Sequence, residues 1–293
     1  MRYVKIADEN FAGGYANVFQ KKGELRMKGK RFIAALLAGI LMSLSLTAFA
    51  YAASPDPECG RAEIAKWITA TSAILNFSNS DEWNPHLFDL PADLKQNYVE
   101  SSIMRLHGWN AFDADDLRER IAALYAGKGH SARFMEDYEF FRNAYDTYGE
   151  ELFVFIEQEY GFLFEDSARR IIYLGDKWGD RGIMAWDLFR IGTLVSWGYV
   201  GGFIEREEAY ILMEPAVNLL KYHFSCWFEA VNNYLDGYLY WANLGFPNPA
   251  AYFVVYYRLV IFSYISLAHV YIFDNYLFVT EPIINLQRVL PEE

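Results

Sequence analysis

The run Trp186-Asp187-Leu188-Phe189-Arg190 opens the stretch that decides the fold, which continues through Trp197-Gly198-Tyr199 and ends Tyr234-Leu235-Asp236-Gly237. Residues 186–199 have apolar side chains on most helical faces, which predicts a central, heavily buried helix. A second helix is predicted over residues 205–224, with a kink at Pro215, and a third over residues 225–243, with Ser225 as its N-cap. The stretch therefore predicts a mainly α-helical, multi-helix globular domain with a central three-helix core.

Helical patterns also flank this stretch. Apolar residues recur at helical spacing over residues 62–77 and 93–106, which predicts two helices. Ser131 is expected to cap a further helix that reaches about residue 160, with a break at Gly149. The closely spaced glycines of residues 175–182 predict a turn.

The composition indicates an acidic globular protein. Of 293 residues, 53% are hydrophobic and 18% are aromatic, which is enough to bury a substantial core. The formal net charge is −12, but residues 1–53 hold eight Lys/Arg and three Asp/Glu, so the remaining 18 basic and 35 acidic side chains give −17. Such a charge repels nucleic-acid phosphates, which argues against a nucleic-acid partner, and it favours cationic partners.

Residues 27–53 have the order of a secretory signal peptide, with a basic start after Met27, an apolar run and a small-residue end. The A-x-A spacing predicts cleavage after Ala50 or Ala52. The alternative is an uncleaved membrane anchor, since the apolar run is just long enough to span a bilayer. Residues 1–26 do not fit this plan, and translation is expected to start at Met27. The protein is thus predicted to be exported, either secreted or at the cell surface, and to contact a membrane only through this segment if it stays uncleaved.

Two cysteines follow the signal segment. In an exported protein, Cys59 and Cys226 can form one disulfide that ties the mature N-terminus to the core. The alternative is a pair of unbonded thiols, with Cys226 buried as a small hydrophobic side chain.

Residues 250–273 are an apolar run broken by Arg258, a few hydroxyls and His269. Their length matches a membrane span, but Arg258 near the middle and the many tyrosines favour a buried helix. Strands are a lesser alternative, suggested by the β-branched and aromatic content. Residues 274–293 are predicted to be a surface loop with one short element.

Several motifs, taken in order, resemble the bacterial domain of unknown function 1266. Besides the opening stretch they are Gly202-Phe203-Ile204, Glu207-Glu208-Ala209 and Phe224-Ser225-Cys226-Trp227. The resemblance covers about residues 100–241 and implies no established activity. Ser196 and Tyr238 stand where the family pattern implies basic residues, and Cys226 stands where it implies serine. These departures argue against an anionic ligand site at the basic positions.

Asp187 and Arg190 are the candidate functional pair, because they lie three residues apart on one helix face. As a structural ion pair they would hold neighbouring helices together. As a ligand site, Arg190 would orient a carboxylate or phosphate group and Asp187 would fix the guanidinium.

Aromatic side chains of the same stretch provide a candidate surface formed by Trp197, Tyr199 and Trp227. The alternative places these tryptophans in the core together with Trp186 and Trp241, since near-helical spacing inside apolar runs is what packing alone produces.

The sequence contains no recognisable motif for catalysis or metal binding. Its five histidines are scattered without zinc-ligand spacing, and G-x-S-x-G, C-x-x-C and H-E-x-x-H do not occur. Asp113, Asp115 and Asp116 lack the glycine and the terminal glutamate of a calcium loop, so Asp113 is interpreted as a helix N-cap. No catalytic residue, metal or cofactor is therefore predicted.

The chain divides into five predicted segments. They are an upstream extension (1–26), a signal peptide (27–53), an N-terminal linker with helices (54–99), the family-like helical domain (100–245) and an aromatic C-terminal segment packed on that domain (246–293).

The predicted function is non-enzymatic binding of an unidentified protein or ligand. The alternative is a hydrolase or transferase that uses Asp187, Arg190 and further carboxylates in a helical cleft. The enzyme alternative predicts that the pair opens onto a pocket with other carboxylates, whereas the binding interpretation predicts that the pair is buried.

Overall fold

The fold consists of α-helices packed around one central helix. A computed structural model describes residues 57–79, 86–243, 250–269 and 271–278, which all belong to one compact unit of the chain. These residues contain no β-strand, so the predicted mainly α fold is confirmed. The segment predicted to be a signal peptide lies outside the described residues.

The described residues form eleven α-helices, which are α1 (Pro57–Asn79), α2 (Ala92–Lys95), α3 (Val99–Gly108), α4 (Ala114–Tyr125), α5 (His130–Tyr148), α6 (Glu151–Tyr160), α7 (Phe162–Trp178), α8 (Met184–Val200), α9 (Arg206–His223), α10 (Trp227–Ala242) and α11 (Ala250–Ala268). Short 3₁₀ helices cover Leu87–Asp89, Gln96–Tyr98, Gly179–Arg181 and Asn275–Phe278.

Helix α8 is the central helix, and 14 of its 17 residues are buried. It packs against α9 and α10, the other two helices of the predicted core, and also against α1, α3, α4 and α5. Helix α1 is a fourth core helix, since Ile64, Trp67 and Ile68 are 0% exposed. Burial of each such side chain contributes about 2–3 kcal/mol, so α1 adds substantially to the stability of the core.

Two glycines let α8 approach its neighbours closely. A Cβ atom on Gly192 would lie 1.9 Å from Oγ1 of Thr71 in α1, and a Cβ on Gly237 of α10 would lie 2.3 Å from the Cβ of Trp186. Both distances are far below van der Waals contact. A larger residue at either position would therefore force the helices apart.

Several helix ends agree with the signals in the sequence. Asp113 caps α4, because its side chain accepts a hydrogen bond from the Asp116 N–H at 2.9 Å. Gly149 separates α5 from α6 with a φ of 59°.

The turn predicted over residues 175–182 is wrong in its first part, because α7 continues to Trp178. Gly175 lies inside α7, where a Cβ would be 2.0 Å from the ring of Tyr138.

Helix α9 continues through Pro215, and a tyrosine from α4 completes its hydrogen bonds there. The Tyr125 hydroxyl accepts from the Ala216 N–H at 3.1 Å and donates to the Leu212 carbonyl at 2.7 Å. In an uninterrupted α-helix these two backbone groups bond each other. A side chain inserted between the backbone hydrogen-bonding groups of a helix is a known cause of helix bending. The Tyr125 hydroxyl is inserted in this way next to Pro215, where the kink is predicted.

Helix α11 has one buried and one exposed face. Its buried side chains are Ala251, Arg258, Ile261, Phe262 and Ile265, and they face α10 and α1. Among the described helices it is the one long and apolar enough to cross a membrane, and 28% of its most apolar window is buried. The predicted helix is thus confirmed and the alternative of β-strands is wrong. The predicted burial holds for one face of the helix only.

The start of the predicted surface loop contains a short element, the 3₁₀ helix Asn275–Phe278, and it packs into the core instead of lying on the surface. Leu277 and Phe278 are buried, as are Ile272 and Phe273 just before the loop. The indole N–H of Trp227 donates to the Asp274 carbonyl at 3.1 Å. The remainder of the predicted loop, from residue 279 onward, lies outside the described residues.

Candidate functional site

The carboxylate of Asp187 is bonded to the start of another helix. It accepts hydrogen bonds from the backbone N–H groups of Ser131 at 2.8 Å and His130 at 3.3 Å. These are the first residues of α5, whose N–H groups have no partner inside the helix. Asp187 is 6% exposed, and its carboxylate faces the positive N-terminal end of α5 inside the fold.

The N-cap position of α5 is shaped for this contact. Gly129 occupies it and has no side chain to cap the helix. A Cβ on Gly129 would lie 2.3 Å from Oδ2 of Asp187. The predicted cap by Ser131 is therefore wrong, because Ser131 lies within the first turn and the capping oxygen comes from α8.

Arg190 completes the arrangement from the next turn of α8. Its Nη1 lies 3.1 Å from Oδ1 of Asp187 and 2.8 Å from Nδ1 of His130. Because a guanidinium can only donate, His130 accepts at Nδ1 and its ring proton is on Nε2. The guanidinium carbon also lies 4.2 Å from the ring centre of Trp109 and 5.2 Å from that of Trp186.

Burial dominates the electrostatics of this pair. It raises the pKa of Asp187, while the backbone N–H groups and Arg190 act in the opposite direction. Burial likewise lowers the pKa of Arg190, opposed by the charge of Asp187. Among the described residues, Asp187 is the carboxylate that pairs with Arg190. The arrangement can join helices α5 and α8, and Nη1 of Arg190 has both of its partners, His130 and Asp187, inside the fold.

Two more helices begin with a side chain supplied from elsewhere in the fold. The Ala185 N–H at the start of α8 donates to Oδ1 of Asn233 at 2.8 Å, and Nδ2 of Asn233 donates to the Gly182 carbonyl at 2.7 Å. The Trp227 N–H at the start of α10 donates to Oδ1 of Asn275 at 3.0 Å. The residues at the two N-cap positions, Ile183 and Cys226, make no side-chain cap bond.

The predicted aromatic surface is wrong for both tryptophans. Trp197 is 3% exposed and Trp227 is 1% exposed, because their apolar rings fill the core around α8. Tyr199 is half-buried, with the Lys95 ammonium 3.9 Å above its ring. Trp241, which the alternative places in the core, is 44% exposed.

The cysteines do not meet within the described side chains. Cys226 is partly exposed and is free of a disulfide to any of them. The side chain of Cys59 lies outside the described part of the structure, so the disulfide stays a prediction.

Within the described ranges, no group of three or more His, Cys, Asp or Glu residues is placed to hold a metal ion. The N-cap predicted at Ser225 is at Cys226 instead.

Comparison with known protein families identifies the family of this chain. A family model described as "Protein of unknown function (DUF1266)" matches residues 106–267. The chain belongs to the DUF1266 family. The match confirms the resemblance and extends its C-terminal limit from about residue 241 to residue 267, within α11. No curated protein and no solved structure matches the chain.

The motifs of this DUF1266 chain have structural contacts. Asp236 accepts from Nε1 of Trp178 at 2.8 Å and from Nζ of Lys177 at 2.7 Å, which joins α10 to the end of α7. Glu208 of α9 binds Arg118 of α4 through both carboxylate oxygens, at 2.6 and 3.1 Å. The motifs therefore hold helices together.

Ser196 and Tyr238, two of the three positions where the sequence resemblance implied a departure from the family pattern, also lie inside the fold. Ser196 is fully buried. Tyr238 is 8% exposed, and the guanidinium carbon of Arg258 lies 4.1 Å from its ring centre. The positive charge near this position therefore comes from α11.

Sequence reasoning missed four residues of the helix starts and their surroundings, Trp109, Gly129, His130 and Asn233. The one available signal was Gly129, a residue without a capping group directly before a helix. The other three enter the site through tertiary packing alone.

Proposed function

We propose that this DUF1266 protein is an exported, non-enzymatic binding protein whose partner is positively charged. The observation that carries this proposal is the charge on the α5–α6 hairpin. Residues 130–160, which cover α5 and α6, contain eight acidic residues and two basic residues, Arg133 and Arg142. Their net charge of −6 is about a third of the −17 that residues 54–293 carry.

Part of this charge is free to act on a partner. Glu151, Glu157 and Glu159 are exposed on α6, and none of them forms an ion pair with a described residue. Asp146, Glu150 and Glu165, in contrast, are paired with Arg142 or Arg169. A surface of one charge accelerates the approach of oppositely charged partners, and added salt screens this effect.

The closed geometry around Asp187 and Arg190 supports binding over catalysis. A hydrolase or transferase would need one of these groups to reach a substrate. Asp187 instead holds two backbone N–H groups and Arg190. The guanidinium carbon of Arg190 lies 4.2 Å from the ring centre of Trp109 and 5.2 Å from that of Trp186. Chemistry at the Asp187 carboxylate would first require its hydrogen bonds to the start of α5 to break.

Copurification of binding partners with the tagged protein from the organism that naturally exports it tests the proposal. The tagged full chain should retain a basic partner at low salt and release it as salt rises. The combined changes Glu151→Gln, Glu157→Gln and Glu159→Gln should reduce partner recovery about tenfold or more at low salt, because three exposed charges are removed.

A matched control removes the same charge elsewhere. Asp93→Asn, Glu100→Gln and Asp180→Asn are likewise changes at exposed carboxylates without an ion pair to a described residue. This control should retain the partner. Equal losses in both triple variants, or a partner that resists salt, would contradict the proposal. Intact mass of the exported product should also show an N-terminus after Ala50 or Ala52, and retention of residues 27–50 would indicate an anchor.

A further inference from the structure

The outward face of α11 carries a stripe of large apolar side chains. Phe253 is 72% exposed, Tyr256 65%, Val260 46%, Tyr264 49% and Leu267 82%. The residues follow one another at intervals of three and four, so they lie along one face of the helix. We define these five residues as the α11 stripe. Soluble monomers rarely expose a contiguous apolar surface of this extent, which indicates a contact surface.

The stripe carries no charge, although the protein as a whole is strongly acidic. The one charged residue of α11 is Arg258, which is 6% exposed and turned inward. It donates to the Tyr234 hydroxyl at 3.0 Å and lies over the ring of Tyr238. A second acidic molecule can therefore approach along the α11 stripe without placing like charges in contact.

The spacing of the stripe is the same when read from either end. From Phe253 to Leu267 the intervals are three, four, four and three residues, with Val260 at the centre. Phe253 and Leu267 are equally distant from Val260, and so are Tyr256 and Tyr264. An antiparallel pair of α11 helices related by a twofold axis at Val260 would place each stripe residue against a stripe residue of the other copy. This is the self-complementarity that an isologous interface requires.

We propose that the α11 stripe is a twofold interface with a second copy of this chain. The five side chains expose roughly 600 Å² together, given about 150–250 Å² for a large side chain. With the flanking Tyr257 and Ser263, which are also exposed, the contact approaches the roughly 800 Å² per partner of a stable protein interface.

A second copy fits the stripe better than a lipid bilayer does. Tyr256 and the flanking Tyr257 lie in the middle half of the helix, where a membrane would leave their hydroxyls in hydrocarbon without partners. Tyrosine is enriched at protein interfaces, where the ring packs and the hydroxyl meets water or a polar group at the rim. The interface does not depend on the cationic partner proposed above, since that partner is assigned to α5 and α6.

Complementary charge substitutions test both the interface and its register. In analytical ultracentrifugation, the protein as exported should be a dimer. Phe253→Lys and Leu267→Glu should each raise the dimer dissociation constant tenfold or more. An equimolar mixture of the two variants should recover dimer, because Lys at position 253 then meets Glu at position 267 of the other copy. Tyr222→Lys, at a tyrosine that is 83% exposed on α9, should leave the dimer unchanged.

Three results would overturn the proposal. One is a wild-type protein that stays monomeric at about 100 µM, well above the affinity of a stable dimer. Another is a dimer that both single variants retain, since a surface other than the α11 stripe would then hold it. The third is a monomer that floats with phosphatidylcholine vesicles and loses this binding in Leu267→Glu, which would assign the stripe to lipid.

Discussion

Tyr125 and Asp187 each complete a helix to which they do not belong. The hydroxyl of Tyr125, from α4, bridges two backbone groups of α9, and the carboxylate of Asp187, from α8, holds two N–H groups of α5. In both cases a buried polar group is stable because it satisfies backbone groups that have no other partner. The chemistry of these side chains is therefore used within the fold.

Replacement of Tyr125 by phenylalanine isolates the hydroxyl contribution. Tyr125→Phe should lower the free energy of unfolding by about 1–3 kcal/mol, because it leaves the Ala216 N–H and the Leu212 carbonyl without their partner. Urea denaturation measures the change. Tyr145→Phe is the control, since the Tyr145 hydroxyl bonds the exposed Glu150, and it should change stability by less than about 0.5 kcal/mol. An equal effect of the two substitutions would contradict the bridging role.

At the level of the helices, the notable feature of this fold is that distant side chains cap the N-termini of several helices. Eight of the described α-helices have N-cap residues without a side-chain cap bond, and three of these, α5, α8 and α10, are capped from a distance. Each receives a side chain that is 48 to 57 residues away in sequence. These contacts fix the relative positions of helices as well as their first turns.

The helices themselves could be predicted, because periodicity and local caps are short-range signals. Asp113 shows this, since its capping partner Asp116 is three residues away. The contacts of Asp187 and Asn233 could not be predicted, because they depend on which helices meet. Gly175 was misread as a turn residue for the same reason, since its small size serves the approach of Tyr138.

The molecule as a whole combines an acidic surface with an unusually aromatic interior. Its 22 tyrosines include several whose hydroxyls are buried. Burial raises the pKa of Tyr125, Tyr234 and Tyr240, and the neighbouring Asp137 raises the pKa of Tyr240 further. Their protonation is therefore coupled to folding.

The coupling predicts a loss of stability at alkaline pH. An unfolded tyrosine releases its proton near pH 10, whereas these three keep theirs in the folded state. The stability is thus fully present below about pH 10 and falls as the pH rises above it. The urea midpoint should decrease steadily above about pH 10. Solvent-exposed tyrosines ionise near pH 10 even in a folded protein, and a further rise in tyrosinate absorbance should accompany unfolding. A constant midpoint up to about pH 11.5 would show that these hydroxyls are not buried.

The central claim, that Asp187 is a helix cap supplied from a distance, is tested most directly by a double-mutant cycle with Gly129. Asp187→Ala should lower the free energy of unfolding by about 3 kcal/mol or more, because Arg190 and two N–H groups lose their partner. Gly129→Ser should destabilise the wild-type protein, since its Cβ would meet the carboxylate at 2.3 Å.

In the Asp187→Ala protein the same serine should stabilise by about 0.5–2 kcal/mol, because the space is empty and its hydroxyl can cap α5 locally. Urea denaturation of the four proteins gives the result. The account predicts that the effect of Gly129→Ser changes sign between the two backgrounds. An effect of the same sign and size in both, or an Asp187→Ala protein as stable as the wild type, would contradict it.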